Sequence, residues 1–103
     1  MMETLPWRAE PVSNDALACQ LTVRGRVQGV FYRDSVRREA LRRGVAGWAA
    51  NLPDGTVEVV LEGRAADVRE LVCYCRRGPR GAHVTGVEVN ERAREGLSGF
   101  EIR

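Results

Sequence analysis

GRVQGVFYR, residues 25–33, separates two segments of different period. Before it, Cys19, Leu21 and Val23 alternate with Gln20, Thr22 and Arg24, the two-residue repeat of a strand with one buried face. After it the spacing is helical, with Val36, Ala40 and Leu41 on one side and Arg37, Arg38, Arg42 and Arg43 facing water. A crossing from strand to helix can gather successive main-chain N–H groups into a concavity that suits an anion. The helix N-terminus adds its own N–H groups and its positive dipole end. Gly25 and Gly29 allow the tight curvature, and Arg33 at the junction carries a planar fork able to meet two oxygens at once. The stretch has neither the lysine nor the following hydroxyl of a nucleotide-type phosphate loop, so a small phosphate-like ligand without a metal suits it better. Taken alone, these residues also read as a tight turn beside a solvated arginine.

The rest of the chain sets the frame around this crossing. Asp34 suits the first helical turn and Arg42 and Arg43 the last, with Gly44 as the stop. VAGWAAN (45–51) reads as a short strand, and LPDG (52–55) as a turn in which Pro53 sets φ. In TVEVVLEG (56–63) Val57, Val59 and Leu61 point inward, with Glu58 and Glu62 outward on a solvated face. RAADVRELVCYCRR (64–77) returns to helical spacing, its apolar stripe being Val68, Leu71, Val72 and Cys75. GPRG ends that helix, AHVTGVEVN (82–90) gives a further strand, RAREGLSG (92–99) a polar connection, and FEIR (100–103) a last short strand with Phe100 and Ile102 inward. The order β-α-β-β-α-β with an extra terminal strand predicts an α+β fold of the ferredoxin-like split β-α-β kind, an antiparallel sheet with two helices on one face. Many functions use that architecture, so the fold alone decides none of them.

Size and composition narrow the field. A chain of 103 residues suits one small domain, expected over 18–103 behind a leader at 1–17 that carries Pro6, Pro11 and Trp7. No apolar run approaches the roughly 20 residues of a membrane span, and the leader has no signal-peptide core, so the expected location is cytoplasmic, without a membrane partner. The net charge of +2, with acids and bases interspersed, calls for no nucleic-acid partner. All sixteen basic residues are arginine, which excludes a catalytic lysine or a Schiff base. Cys19, Cys73 and Cys75 lack zinc-type spacing and read as reduced packing thiols, so no metal is expected.

VRGRVQGVFYR (23–33) followed by GWAANLPDGTVEVVLEG (47–63) resembles the two sequence signatures of the acylphosphatase family, and GPRGAHV (78–84) and FEIR resemble its other recurring segments. The resemblance runs from about Cys19 to Arg103. It implies the ferredoxin-like fold and hydrolysis of a carboxyl-phosphate anhydride to carboxylate and inorganic phosphate, with no cofactor. It further implies that the amides of Arg26, Val27, Gln28, Gly29, Val30, Phe31 and Tyr32, together with Arg33, bind the phosphoryl group, and that Asn51 positions the attacking water. The implied partner is a small acyl phosphate, acted on by a monomer. Tyr32 stands where that family usually has Phe or Met, and its hydroxyl requires a partner. The alternative on the same fold is a non-catalytic module that binds an anion or RNA. RNA recognition on such sheets uses exposed aromatics, whereas Trp48 and Phe100 are both expected inward. His83, the one histidine, reads as a surface or structural residue.

Overall fold

The computed structural model describes residues 16–103. Its elements follow in the order β1 (Ala16–Arg26), α1 (Tyr32–Arg43), β2 (Ala46–Asn51), β3 (Val57–Arg64), α2 (Ala65–Arg77), β4 (His83–Glu91) and β5 (Phe100–Ile102). They form one five-stranded sheet in the order β4-β1-β3-β2-β5. The four long strands pair antiparallel, while β5 runs parallel to β2, so the sheet is mixed at one edge. This is the ferredoxin-like α+β arrangement that the element order predicts. Residues 16 and 17, placed in the leader from sequence, already pair with Arg64 and Gly63 of β3; the remainder of the leader, Trp7 included, lies outside the described residues.

Alternation along the strands determines which face the helices cover. Leu21, Val23, Val57, Val59, Leu61 and Ala49 share one core with Val36 and Ala40 of α1 and Val68, Leu71 and Cys75 of α2. Leu21, Leu61 and Leu71 are completely buried, and each contributes about 1.5–3 kcal/mol relative to an exposed position. Helix α1 lies over β2 and β5, and α2 over β1, β3 and β4.

Four side chains depart from the expected pattern. Leu41 is 51% exposed: the buried stripe of α1 runs through Val36 and Ala40, and one further residue turns Leu41 past its edge. Ile102 is 41% exposed although it shares the alternation of buried Phe100, because it borders a cleft at the start of α1 instead of the core. Trp48 is half-buried, not in the core. Its neighbours Gly47 and Ala49 take the buried positions, so its ring lies on the opposite face, with the Arg103 guanidinium 4.5 Å from the ring centre.

Glu62 is the fourth. It is expected on a solvated face, yet it is only 7% exposed. The connection from β4 to β5 passes over it, and its carboxylate accepts the main-chain N–H of Glu95 at 2.6 Å and of Leu97 at 2.8 Å. Burial raises the pKa of this carboxyl, but the N–H groups of Glu95, Leu97 and Gly96 and the nearby charge of Arg92 outweigh it and hold the group below its ordinary value. A carboxyl with a lower pKa folded than unfolded stabilises the fold when ionised. Its contribution is therefore complete above the ordinary value of 4.5 and is lost as the pH falls through the lower, folded value. Glu62→Gln should cost about 1–2 kcal/mol at neutral pH. Urea denaturation of the two proteins should show that difference shrinking as the pH is taken below the carboxylate range.

Candidate active site

The 25–33 crossing starts at a bulge. The register of β1 against β4 shifts between Arg24 and Gly25, which lets the chain leave the sheet. Gly25 has φ 122°, and a Cβ there would lie 2.1 Å from the carbonyl oxygen of His83, so only glycine fits. Val27 is buried and fixes the start of the loop to the core, and Val30 packs against the same core from the far side. Between them Gln28 reaches away from the loop. Its Nε2 donates to the carbonyls of Leu52 at 2.8 Å and Thr56 at 2.9 Å, which flank the β2–β3 turn. The loop is thereby tied to the turn that follows Asn51.

Phe31 takes the left-handed conformation at φ 61°, ψ 23°, and is the one non-glycine residue with positive φ among the described residues. Its side chain is 80% exposed. Helix α1 starts immediately after it with no side-chain cap. The N–H of Ser35 donates to the Phe31 carbonyl at 3.0 Å, so the amides of the three residues before Ser35 have no partner within the helix. Arg33, half-buried in this first turn, donates from Nη1 to the main-chain oxygen of Arg103 at 3.0 Å. Arg103 is in turn held by its stacking on Trp48, by Glu101 at 3.0 Å and by the bond from its own N–H to the Ala49 carbonyl at 2.8 Å.

These residues bound a cleft of about 360 Å³, lined by Val27, Gly29, Phe31, Arg33, Asp34 and Ile102, with Tyr32 at its base. The Asp34 carboxylate is engaged by Arg38 at 3.2 Å. Open amides and one guanidinium around a small cleft can hold a compact anion. The expected site residues divide. Val27, Gly29, Phe31, Tyr32 and Arg33 border the cleft, whereas Arg26, Gln28, Val30 and Asn51 do not line it. Arg26 is exposed at the end of β1 opposite His83. Asn51 is exposed at the end of β2, paired with Val57. The turn after it is rigid: the Leu52 N–H donates to Thr56, and the Asp54 carboxylate accepts from Thr56 N–H at 3.0 Å and Oγ1 at 2.7 Å. Those bonds, led by the Thr56 hydroxyl, hold the Asp54 carboxyl below its ordinary range.

Tyr32 has the partner that its hydroxyl requires. Its ring is buried and its O–H donates to the Cys75 carbonyl at 2.7 Å, joining α1 to α2. The hydroxyl is thus bonded within the core, between the two helices. The bridge made by Gln28 and the exposed side chains of Phe31 and Ile102 carry no mark in the sequence pattern. A glutamine between two apolar residues of a loop is the nearest thing to a signal.

Residues 19–102 match the family model described as acylphosphatase. An acylphosphatase of Rubrobacter xylanophilus is 60% identical over 82 residues, which is 79% of this chain and 74% of that protein. One of Aeropyrum pernix is 48% identical over 94 residues, covering 89% of this chain and 93% of the other. Among solved structures, an acylphosphatase from Coxiella burnetii superposes with a TM-score of 0.83 at 37% identity, over 89% of this chain and 96% of that one.

Proposed function

The chain belongs to the acylphosphatase family, and from that membership we propose that it hydrolyses acyl phosphates without a metal, holding the phosphoryl group on the 26–32 amides and Arg33 while Asn51 orients the water. The observation that carries this reading is the uncapped start of α1, where Arg33 and the loop share one small cleft.

The chemistry asks for little more. A carboxylate is already a good leaving group, so no strong general acid is needed. The water oxygen forms a bond to phosphorus while the bridging oxygen–phosphorus bond breaks, and the carboxylate departs with the electron pair. What requires help is the charge on the phosphoryl oxygens and the in-line placement of the water. Fixed N–H donors and a guanidinium that stays charged at every working pH supply the first, with no reorganisation at the moment of reaction. Asn51 offers a donor and an acceptor on one amide and supplies the second. A neutral amide is a poor base, so the water's proton passes to a phosphoryl oxygen of the substrate. Gln28 acts through others: it keeps the amides of the loop and the β2–β3 turn in one register.

The purified chain should hydrolyse benzoyl phosphate, releasing benzoate and inorganic phosphate in equal amounts. The rate should be unchanged, within a factor of about two, in excess EDTA. A rate that collapses with EDTA and returns on adding a divalent cation would overturn the metal-free reading.

A further inference from the structure

We propose that Phe31 and Ile102 form an apolar shelf that receives the acyl group, so that this chain prefers aromatic or bulky apolar acyl phosphates to acetyl phosphate; this rests on the reading of the Arg33 cleft as the phosphoryl site. Three observations converge on it. Phe31 is the most exposed large apolar side chain described, and it stands in a left-handed conformation that a phenylalanine adopts at a cost. A ring kept in water on a strained backbone contributes nothing to the core. Ile102 follows the inward alternation of β5 yet is 41% exposed. Both line the cleft that Arg33 lines, and they come from opposite ends of the domain's sequence.

The chemistry of the substrate suits that arrangement. An acyl phosphate is charged at one end and, for an aromatic acid, apolar at the other. With the phosphoryl oxygens on Arg33 and the amides of the first turn, the acyl part must leave the anion site past the nearest side chains. The cleft of about 360 Å³ is roomier than a phosphoryl group alone requires, and its remaining walls include Val27, Phe31 and Ile102. An aromatic face meeting a flat acyl ring gains by stacking as well as by area removed from water. Asp34, also on the lining, is paired with Arg38 at 3.2 Å and Arg37 at 4.0 Å.

The test compares benzoyl phosphate with acetyl phosphate in the wild type, Phe31→Gly and Ile102→Ala. Glycine tolerates the left-handed conformation, so the first variant removes the ring without straining the loop. The quantity read is the ratio of kcat/KM for the two substrates; comparing it between variants cancels their different intrinsic reactivity. We expect that ratio to fall about tenfold in Phe31→Gly and about threefold in Ile102→Ala. Calorimetry with two stable analogues, phenacylphosphonate and acetonylphosphonate, should show the wild type binding the first about tenfold more tightly. A ratio within a factor of about two of the wild type in both variants, or equal affinity for the two phosphonates, overturns the shelf and leaves the hydrolase reading standing. Preferential binding of phenacylphosphonate by a protein that hydrolyses neither acyl phosphate supports the shelf and sinks the hydrolase reading instead.

Discussion

Arg33→Ala should lower kcat/KM for benzoyl phosphate by about 10³- to 10⁵-fold, the range in which a single arginine acts on a transferring phosphoryl group. The guanidinium stands in the first turn of α1 on the same cleft as the loop, and its described bond is to the main-chain oxygen of Arg103. That bond directs the side chain across the mouth of the loop. Arg33→Lys should recover little of the loss, because an ammonium is a point charge without the fork that meets two oxygens. The fold should survive either change. The bond to Arg103 is solvent-exposed, so its loss costs about 1 kcal/mol or less, visible as a small shift of the urea midpoint. Inorganic phosphate should also cease to inhibit residual turnover. Activity within tenfold of the wild type, in a variant that is folded, would remove Arg33 from the chemistry.

The main lines of this molecule are legible in its sequence because they depend on local period. The alternation of Leu21 and Val23, and of Val57, Val59 and Leu61, reads as strands with one covered face, and those side chains are completely buried. Gly25 and Gly29 mark the tight crossing from β1 to α1 because turn geometry is written in neighbouring residues. What stays hidden is whatever a distant segment determines. Glu62 looks like a solvated strand residue until the β4–β5 connection, more than thirty positions later, brings two N–H groups onto it. Gln28 finds its carbonyl partners 24 and 28 residues away. Ile102 obeys alternation, but its burial depends on how far α1 extends over the sheet; Trp48 has the bulk of a core residue, but alternation with buried Gly47 and Ala49 puts it on the opposite face. Phe31 is the instructive case. Positive φ is usually signalled by glycine or asparagine, and here the position after Val30 carries an aromatic ring, which no turn rule would put there.

Asn51→Ala tests the division of labour between the two halves of the site. If the loop and Arg33 bind and Asn51 only aims the water, this variant should lose about 10²- to 10⁴-fold in kcat while KM and inhibition by inorganic phosphate stay within about threefold. The side chain is exposed at the end of β2, and the strand pairing there is main-chain, so the substitution should leave the denaturation midpoint nearly unchanged. Asn51→Asp separates orientation from basicity. A carboxylate is the better base, so a role in taking the water's proton predicts that activity is retained or raised. A role in orientation beside an anion predicts the reverse: the added negative charge opposes the bound phosphate, weakens inhibition, and lowers kcat/KM below that of the alanine variant. Loss of phosphate inhibition in Asn51→Ala would move this residue into the binding half and overturn the assignment. The strand end that carries Asn51 is linked to the loop through Gln28, whose Nε2 donates to the Leu52 and Thr56 carbonyls on either side of the turn.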